Sequence, residues 1–155
     1  VILYVLGRRY YFVTCVDVVT KYAYCSHVPS LSGKQTKATF LKFVDTYSHT
    51  VRVVQTDNGS EFLGEFDQHL QDTDLKHEFI YPKSPKVNGV VERFNRTIQE
   101  EFIQRFDYLL ETPELFQDKL KSYLCYYNQK RPHHSLNLQT PQQFMQTYMQ
   151  SPKGM

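Results

Sequence analysis

With 155 residues, 41% of them apolar and 22% charged, the chain has the size and make-up of one ordinary globular domain, which excludes disordered and collagen-like classes. A net charge of +2 is too small to point to nucleic acid by itself, and no apolar run approaches the roughly 18 residues of a membrane span. Three cysteines without CxxC spacing read as free thiols of a reducing compartment, and six histidines show no zinc-finger spacing.

Residues 1–6 are apolar and β-branched enough for a strand, ended by Gly7-Arg8-Arg9. Too short for a signal peptide, this run has no basic segment before it. The chain opens on Val1 rather than Met, so a piece of a longer protein is expected. Residues 10–16 and 22–28 predict a second and third strand joined by residues 17–21, an antiparallel meander. Cys15 and Cys25 fall inside these strands and read as core residues rather than ligands.

The period then changes. From Ser32-Gly33-Lys34 a helix is predicted, with Ala38, Leu41, Val44 and Tyr47 or Ser48 as its apolar stripe. Residues 52–56 form a fourth strand, reached by a crossover onto the same sheet. A short amphipathic helix over residues 62–71 leads to a fifth strand, residues 76–80. The segment Tyr81-Pro82-Lys83-Ser84-Pro85-Lys86 cannot pair regularly, since proline lacks the donor.

A long helix is predicted from Gly89, its buried stripe marked by Val91, Phe94, Ile98, Phe102 and Phe106. Glu92 lies about a hundred degrees off that stripe, where it can point toward a sheet edge; its plain alternative is an ion pair with Arg96. Thr112-Pro113 starts another helix with Leu115, Leu120, Tyr123 or Leu124, and Tyr127 on its apolar face. Thr140-Pro141 starts the last, with Gln143 placed for a capping box. Residues 127–136 read as an irregular polar link, and a frayed tail is expected after Tyr148. The order β-β-β-α-β-α-β-α predicts an α/β fold: a five-stranded mixed sheet, its first three strands antiparallel, flanked by helices. The expected division is an α/β core over residues 1–110, a helical segment over 111–150 and a tail over 151–155.

Asp57 ends an apolar strand and is followed by Asn58-Gly59, a strong turn signal. A carboxylate at a strand's carboxyl end sits where open α/β sheets bind ligands. Magnesium prefers hard oxygen donors, so carboxylates from separate segments suffice to hold it. Two such ions about 3.5–4 Å apart would activate an attacking oxygen and stabilise a leaving one in phosphoryl transfer. Residues 81–97 carry four Lys/Arg against one Glu, a basic patch suited to a polyanion. Taken alone, Asp57 is also an ordinary turn cap and the patch an ordinary solvated face.

Three segments in order carry more weight: Thr56-Asp57-Asn58-Gly59-Ser60-Glu61-Phe62, then Pro82-Lys83-Ser84-Pro85-Lys86, then Asn88-Gly89-Val90-Val91-Glu92-Arg93-Phe94-Asn95-Arg96-Thr97. Together they resemble the integrase catalytic core, the DDE superfamily of retroviral integrases and insertion-sequence transposases. The 34 residues between Asp57 and Glu92 agree with the family's spacing. Tyr127-Asn128, Arg131-Pro132-His133, Leu136 and Thr140-Pro141 are similar to the C-terminal segment of bacterial insertion-sequence transposases. The resemblance implies an RNase H-like fold, with Asp57 and Glu92 as second and third acids of a metal-binding triad. It implies Mg²⁺ or Mn²⁺ as cofactor in a two-metal site, DNA as partner, and a homodimer or higher oligomer. Cleavage at the ends of a mobile element and strand transfer into target DNA are the implied activities. Lys83, Lys86, Asn88, Arg93 and Arg96 are the implied DNA contacts. The implied setting is the cytoplasm at a bacterial nucleoid, or a nucleus for a eukaryotic or viral element, with no membrane.

The first acid of the triad is not visible. Its pattern aligns on Val1-Ile2-Leu3-Tyr4, with Val1 where the Asp is expected. Asp17 is a poor substitute: if Val1 pairs opposite about Thr14, Asp17 stands three residues further along, about 10 Å at roughly 3.3 Å per residue. Two other readings share these residues, a degenerate core that binds DNA or assembles without chemistry, and an RNase H-type nuclease.

Overall fold

Strands β1 (Ile2–Val5), β2 (Arg8–Val16) and β3 (Ala23–Val28) form one sheet in that order, β1 running antiparallel to β2. This is seen in a computed structural model that describes residues 1–5, 7–80 and 85–150, and of residues 85–88 and 149 the backbone alone. Gly7 adopts φ +78°, a left-handed turn that brings Val5 opposite Arg8, so Arg8 and Arg9 open β2 instead of ending β1. The register pairs Ile2 with Tyr11, and Val1 continues it: its amino group donates to the Phe12 carbonyl at 2.6 Å and the Phe12 N–H returns to Val1 at 2.8 Å. Val1 thus faces Phe12, not Thr14. A shift of two residues keeps every side chain on its expected face.

Helix α1 (Gly33–Thr46) starts at Ser32, whose hydroxyl accepts from the Gln35 N–H at 3.3 Å. Its buried stripe is Thr36, Thr39, Phe40 and Phe43, whereas Ala38 and Leu41, expected inside, are exposed. Two phenylalanine rings carry more apolar area than alanine and leucine, so burying them decides which way the helix faces. Phe40 meets Phe66 edge-on at 5.7 Å, joining α1 to helix α2 (Glu65–Asp72). A 3₁₀ turn over Ser60–Phe62 precedes α2, so the helix begins at Glu65 and not at Phe62. Strand β4 (Val53–Thr56) pairs in parallel with β5 (Lys76–Phe79), from Val53 opposite Lys76 to Thr56 opposite Phe79. All five strands are present where the alternation predicts them, and among the described residues they pair as an antiparallel three-stranded ladder and a parallel pair.

Helix α3 (Pro85–Ile98) begins four residues before Gly89, because proline suits a first helical position where no donor is needed. The loop expected through Pro82 lies outside the described residues. Phe94, Ile98 and Phe102 are each 1% exposed, as the 3–4 spacing predicts. A π-helical turn, Gln99–Ile103, interrupts the helix before α4 (Gln104–Phe106) and leaves both Phe102 and Ile103 buried. In helix α5 (Pro113–Gln129) the buried residues are Phe116, Leu120, Leu124, Tyr127 and Asn128. Leu115, expected inside, is exposed. It stands about 140° around the helix from Leu120, whereas Phe116 extends the stripe in register. Helix α6 (Pro141–Met149) has the expected capping box: Thr140 Oγ1 accepts from the Gln143 N–H at 3.2 Å, and Gln143 Oε1 accepts from the Thr140 N–H at 3.0 Å. Among the described residues no helix is long and apolar enough to cross a membrane.

The chain forms two compact units, one of residues 1–15 and 24–89, the other of residues 16–23 and 90–155. In the second, Asn128 spans from α5 to the start of β3, its amide donating to the Ala23 carbonyl at 2.8 Å and its oxygen accepting from the Ala23 N–H at 2.9 Å. The link after α5 is not a loose one. Arg131 clamps Glu101 through Nε at 2.9 Å and Nη2 at 2.5 Å, Tyr123 donates to the same carboxylate at 3.0 Å, and His133 Nε2 lies 3.2 Å from the Tyr127 carbonyl.

Candidate active site

Asp57 follows directly on β4 and is exposed. Its Oδ1 accepts the Gly59 N–H at 2.9 Å, the short-range turn that Asp-Asn-Gly favours. Gly59 has a reason of its own. A Cβ there would lie 2.6 Å from Glu61 Oε2 and 3.0 Å from Asp57 Oδ1, so the two carboxylates flank the space beside Gly59. Two carboxylates beside one small space are a place that a cation would favour. Their hard oxygen donors fit Mg²⁺ or Mn²⁺ and do not favour a thiolate-seeking metal. Among the described residues no group of three or more His, Cys, Asp or Glu gathers as a metal site.

Position 1, to which the first acid of the triad aligns, lies in the same unit. Asp17 is used elsewhere: Oδ2 accepts from the Thr20 N–H at 2.9 Å and from the Thr20 hydroxyl, and Oδ1 accepts from the Val19 N–H at 3.3 Å. With Val1 opposite Phe12, Asp17 stands five residues along, further than the three that strand counting predicts. Cys25 is fully buried and Cys15 partly so with its thiol turned inside, where burial pushes it up to about 12, which suits core residues and not ligands.

Glu92, in the second unit on α3, is exposed and makes no ion pair with Arg96 among the described residues. Arg93 and Arg96 are exposed on the same helix. Lys83 and the side chains of Lys86 and Asn88 lie outside the described residues. Sequence patterns do not single out His77 and Asp67, which the fold brings to Thr56, the neighbour of Asp57: His77 Nε2 lies 2.8 Å from Thr56 Oγ1 and His77 Nδ1 2.7 Å from Asp67 Oδ1. Ten residues apart on a strand and a helix, these two share no local period that could have signalled the pairing.

Residues 2–85, more than half of the chain, match a family described as integrase core domain, and residues 73–141 match a second family with the same description. The chain belongs to the integrase core domain family. It is 29% identical over 157 residues to a protein described as an integrase, ORF3 of Spiroplasma virus SpV1-C74, covering 90% of this chain and 43% of that one. It is 28% identical to the retrovirus-related Pol polyprotein from transposon TNT 1-94 of Nicotiana tabacum, over 88% of this chain and 10% of the polyprotein. An insertion element IS476 protein of Xanthomonas euvesicatoria is 32% identical over 63% of this chain and 28% of its own length. The chain thus spans less than half the length of these relatives. Among solved structures, the HTLV-2 integrase catalytic core domain in complex with magnesium superposes with a TM-score of 0.73 at 23% identity, covering 93% of this chain and 90% of that one. The BIV integrase catalytic core domain does so with a TM-score of 0.70 at 18% identity, covering 94% and 91%. The fold of this integrase core domain is therefore that of retroviral integrase catalytic cores.

Proposed function

We propose that this integrase core domain performs metal-dependent phosphoryl transfer on DNA, cleaving the ends of a mobile element and joining them to a target. The observation that carries the reading is Asp57, exposed at the end of β4, one oxygen held by Gly59 and with Glu61 beside it. Asp57 and Glu92 are the proposed metal ligands and catalytic residues. Magnesium or manganese, when bound, would supply a Lewis acid that activates the attacking hydroxyl and stabilises the leaving oxygen. Asp57 presents its carboxylate in a fixed direction because the turn at Gly59 spends one lone pair in holding it. The helix-borne cations Arg93 and Arg96, with Lys83, Lys86 and Asn88, are the proposed phosphate contacts, which position the backbone of the DNA without reading its sequence.

The catalytic core is assigned to residues 1–110 and the helical segment that follows to 111–150. The HTLV-2 integrase core, described with magnesium in both dimeric and trimeric forms, supports a homodimer or higher assembly here. The proposed place of action is host DNA, at the nucleoid of a bacterium or in a nucleus. In the full-length protein, Asp57→Asn and Glu92→Gln are each expected to reduce Mg²⁺-dependent strand transfer more than about 100-fold, the scale of removing one preorganised electrostatic group. Full activity of either variant would overturn the assignment.

A further inference from the structure

A polar chain that the proposed chemistry does not use runs from α2 through β5 to Asp57. Asp67 Oδ1 meets His77 Nδ1 at 2.7 Å, His77 Nε2 meets Thr56 Oγ1 at 2.8 Å, and the Thr56 hydroxyl donates to the Asp57 backbone carbonyl at 2.9 Å. The His77 side chain is 6% exposed and Thr56 8%, so the imidazole and the hydroxyl at the middle of the chain are buried, while Asp67 at its far end is 29% exposed. Phe66 and Phe79 flank the imidazole, with ring centroids 5.9 Å and 4.2 Å away. Three elements are brought to one line that ends on the residue proposed to hold the metal.

The hydroxyl of Thr56 has a single proton to give. When that proton goes to the Asp57 carbonyl, Thr56 Oγ1 can meet the imidazole only as acceptor and His77 Nε2 must donate; since a proton also lies between Nδ1 and Asp67, the His77–Asp67 pair then carries two protons. When Thr56 instead donates to Nε2, the Asp57 carbonyl loses its partner. Asp67 orients the ring through Nδ1, as carboxylates orient histidines beside metal sites. Whether the peptide after Asp57 is held therefore depends on His77 and Asp67, neither of which touches Asp57 through a hydrogen bond.

We infer that Asp67, His77 and Thr56 are positioning residues that fix the Asp57 peptide and so aim its carboxylate at the proposed metal site. This rests on the proposed role of Asp57. Thr56 holds the carbonyl and Gly59 holds Oδ1, so the backbone and the side chain of Asp57 are fixed by separate donors. A ligand held on both counts loses less entropy when the ion arrives.

The test uses the full-length protein and three readouts: Mn²⁺ affinity by electron paramagnetic resonance, amide exchange at Gly59 without metal, and strand transfer. Thr56→Val is expected to weaken Mn²⁺ binding about tenfold or more and to speed Gly59 exchange, whereas Thr56→Ser keeps both near the wild-type values. His77→Gln and Asp67→Asn are expected to fall between, and Thr56→Val with His77→Gln to lose no more than Thr56→Val alone. Mn²⁺ affinity and Gly59 exchange within about twofold of wild type in His77→Gln and Asp67→Asn would overturn the inference, even if Thr56→Val fails to fold. Asp57→Asn separates the two readings. If it binds Mn²⁺ like wild type, the proposed role of Asp57 fails; if it does not while the relay variants do, only the relay fails.

Discussion

A side chain at Gly59 would press on two carboxylates. The obstruction a Cβ would meet is the far end of Glu61 and one oxygen of Asp57, both able to swing aside at an exposed turn. Gly59→Ala is therefore expected to leave the melting temperature nearly unchanged while lowering Mg²⁺-dependent activity several-fold, by displacing the carboxylates that flank that point; parallel thermal melts and strand-transfer assays check this. Much at this scale was legible in sequence. Asp57, Asn58 and Gly59 announce a turn at a strand end through residue type alone. Glu61 was legible as part of a motif and not as a neighbour of Asp57, since a side chain two residues past a turn can point anywhere until the 3₁₀ turn of Ser60–Phe62 fixes it.

At the scale of elements, the segment after α5 proves to be a set of internal fastenings. Asn128 makes two hydrogen bonds to the backbone of Ala23 and is 4% exposed. Asn128→Ala leaves a buried N–H and a buried C=O without partners, at a cost of roughly 1–3 kcal/mol each, measurable as a lower midpoint in urea denaturation. Asn128→Asp is expected to fail as well, because a carboxylate cannot donate to the Ala23 carbonyl. Glu101 gives a pH signature. Partial burial pushes its carboxyl upward, but the hydrogen bonds and charge of Arg131, helped by Tyr123, outweigh this and hold it below the usual carboxylate value. Its contribution to stability is then fully present above the unfolded value of roughly 4.3 and is lost as pH falls through the folded one. Melting temperatures followed from pH 6 to pH 3 should show a shallower acid decline in Glu101→Gln than in wild type. Arg131→Lys should also flatten it, since lysine cannot present the two-pronged donor. The spacing of 3 and 4 located these helices, yet it chose the wrong face at Ala38, Leu41 and Leu115. Each time a phenylalanine one or two positions away carried more apolar area and took the interior.

Over the whole molecule the charge is nearly balanced, so the proposed DNA affinity would have to come from where cations are placed and not from their number. Arg96→Gln is expected to weaken binding to DNA of any sequence by a similar factor and to reduce the slope of log affinity against log salt by about one. Fluorescence anisotropy with two unrelated duplexes at several salt concentrations measures both, and a sequence-selective loss would assign Arg96 to base contact instead. Order along the chain determined the five strands, the helices, the caps at Ser32 and Thr140 and the family to which the whole belongs, because each follows from local periodicity or from a motif of fixed spacing. Tertiary structure alone decided which carboxylate joins Asp57 at Gly59, that Asp17 is spent on its own turn, and that Asp67, His77 and Thr56 meet in one line. These are contacts between side chains whose directions are set only when strands take their register and helices choose the face they bury.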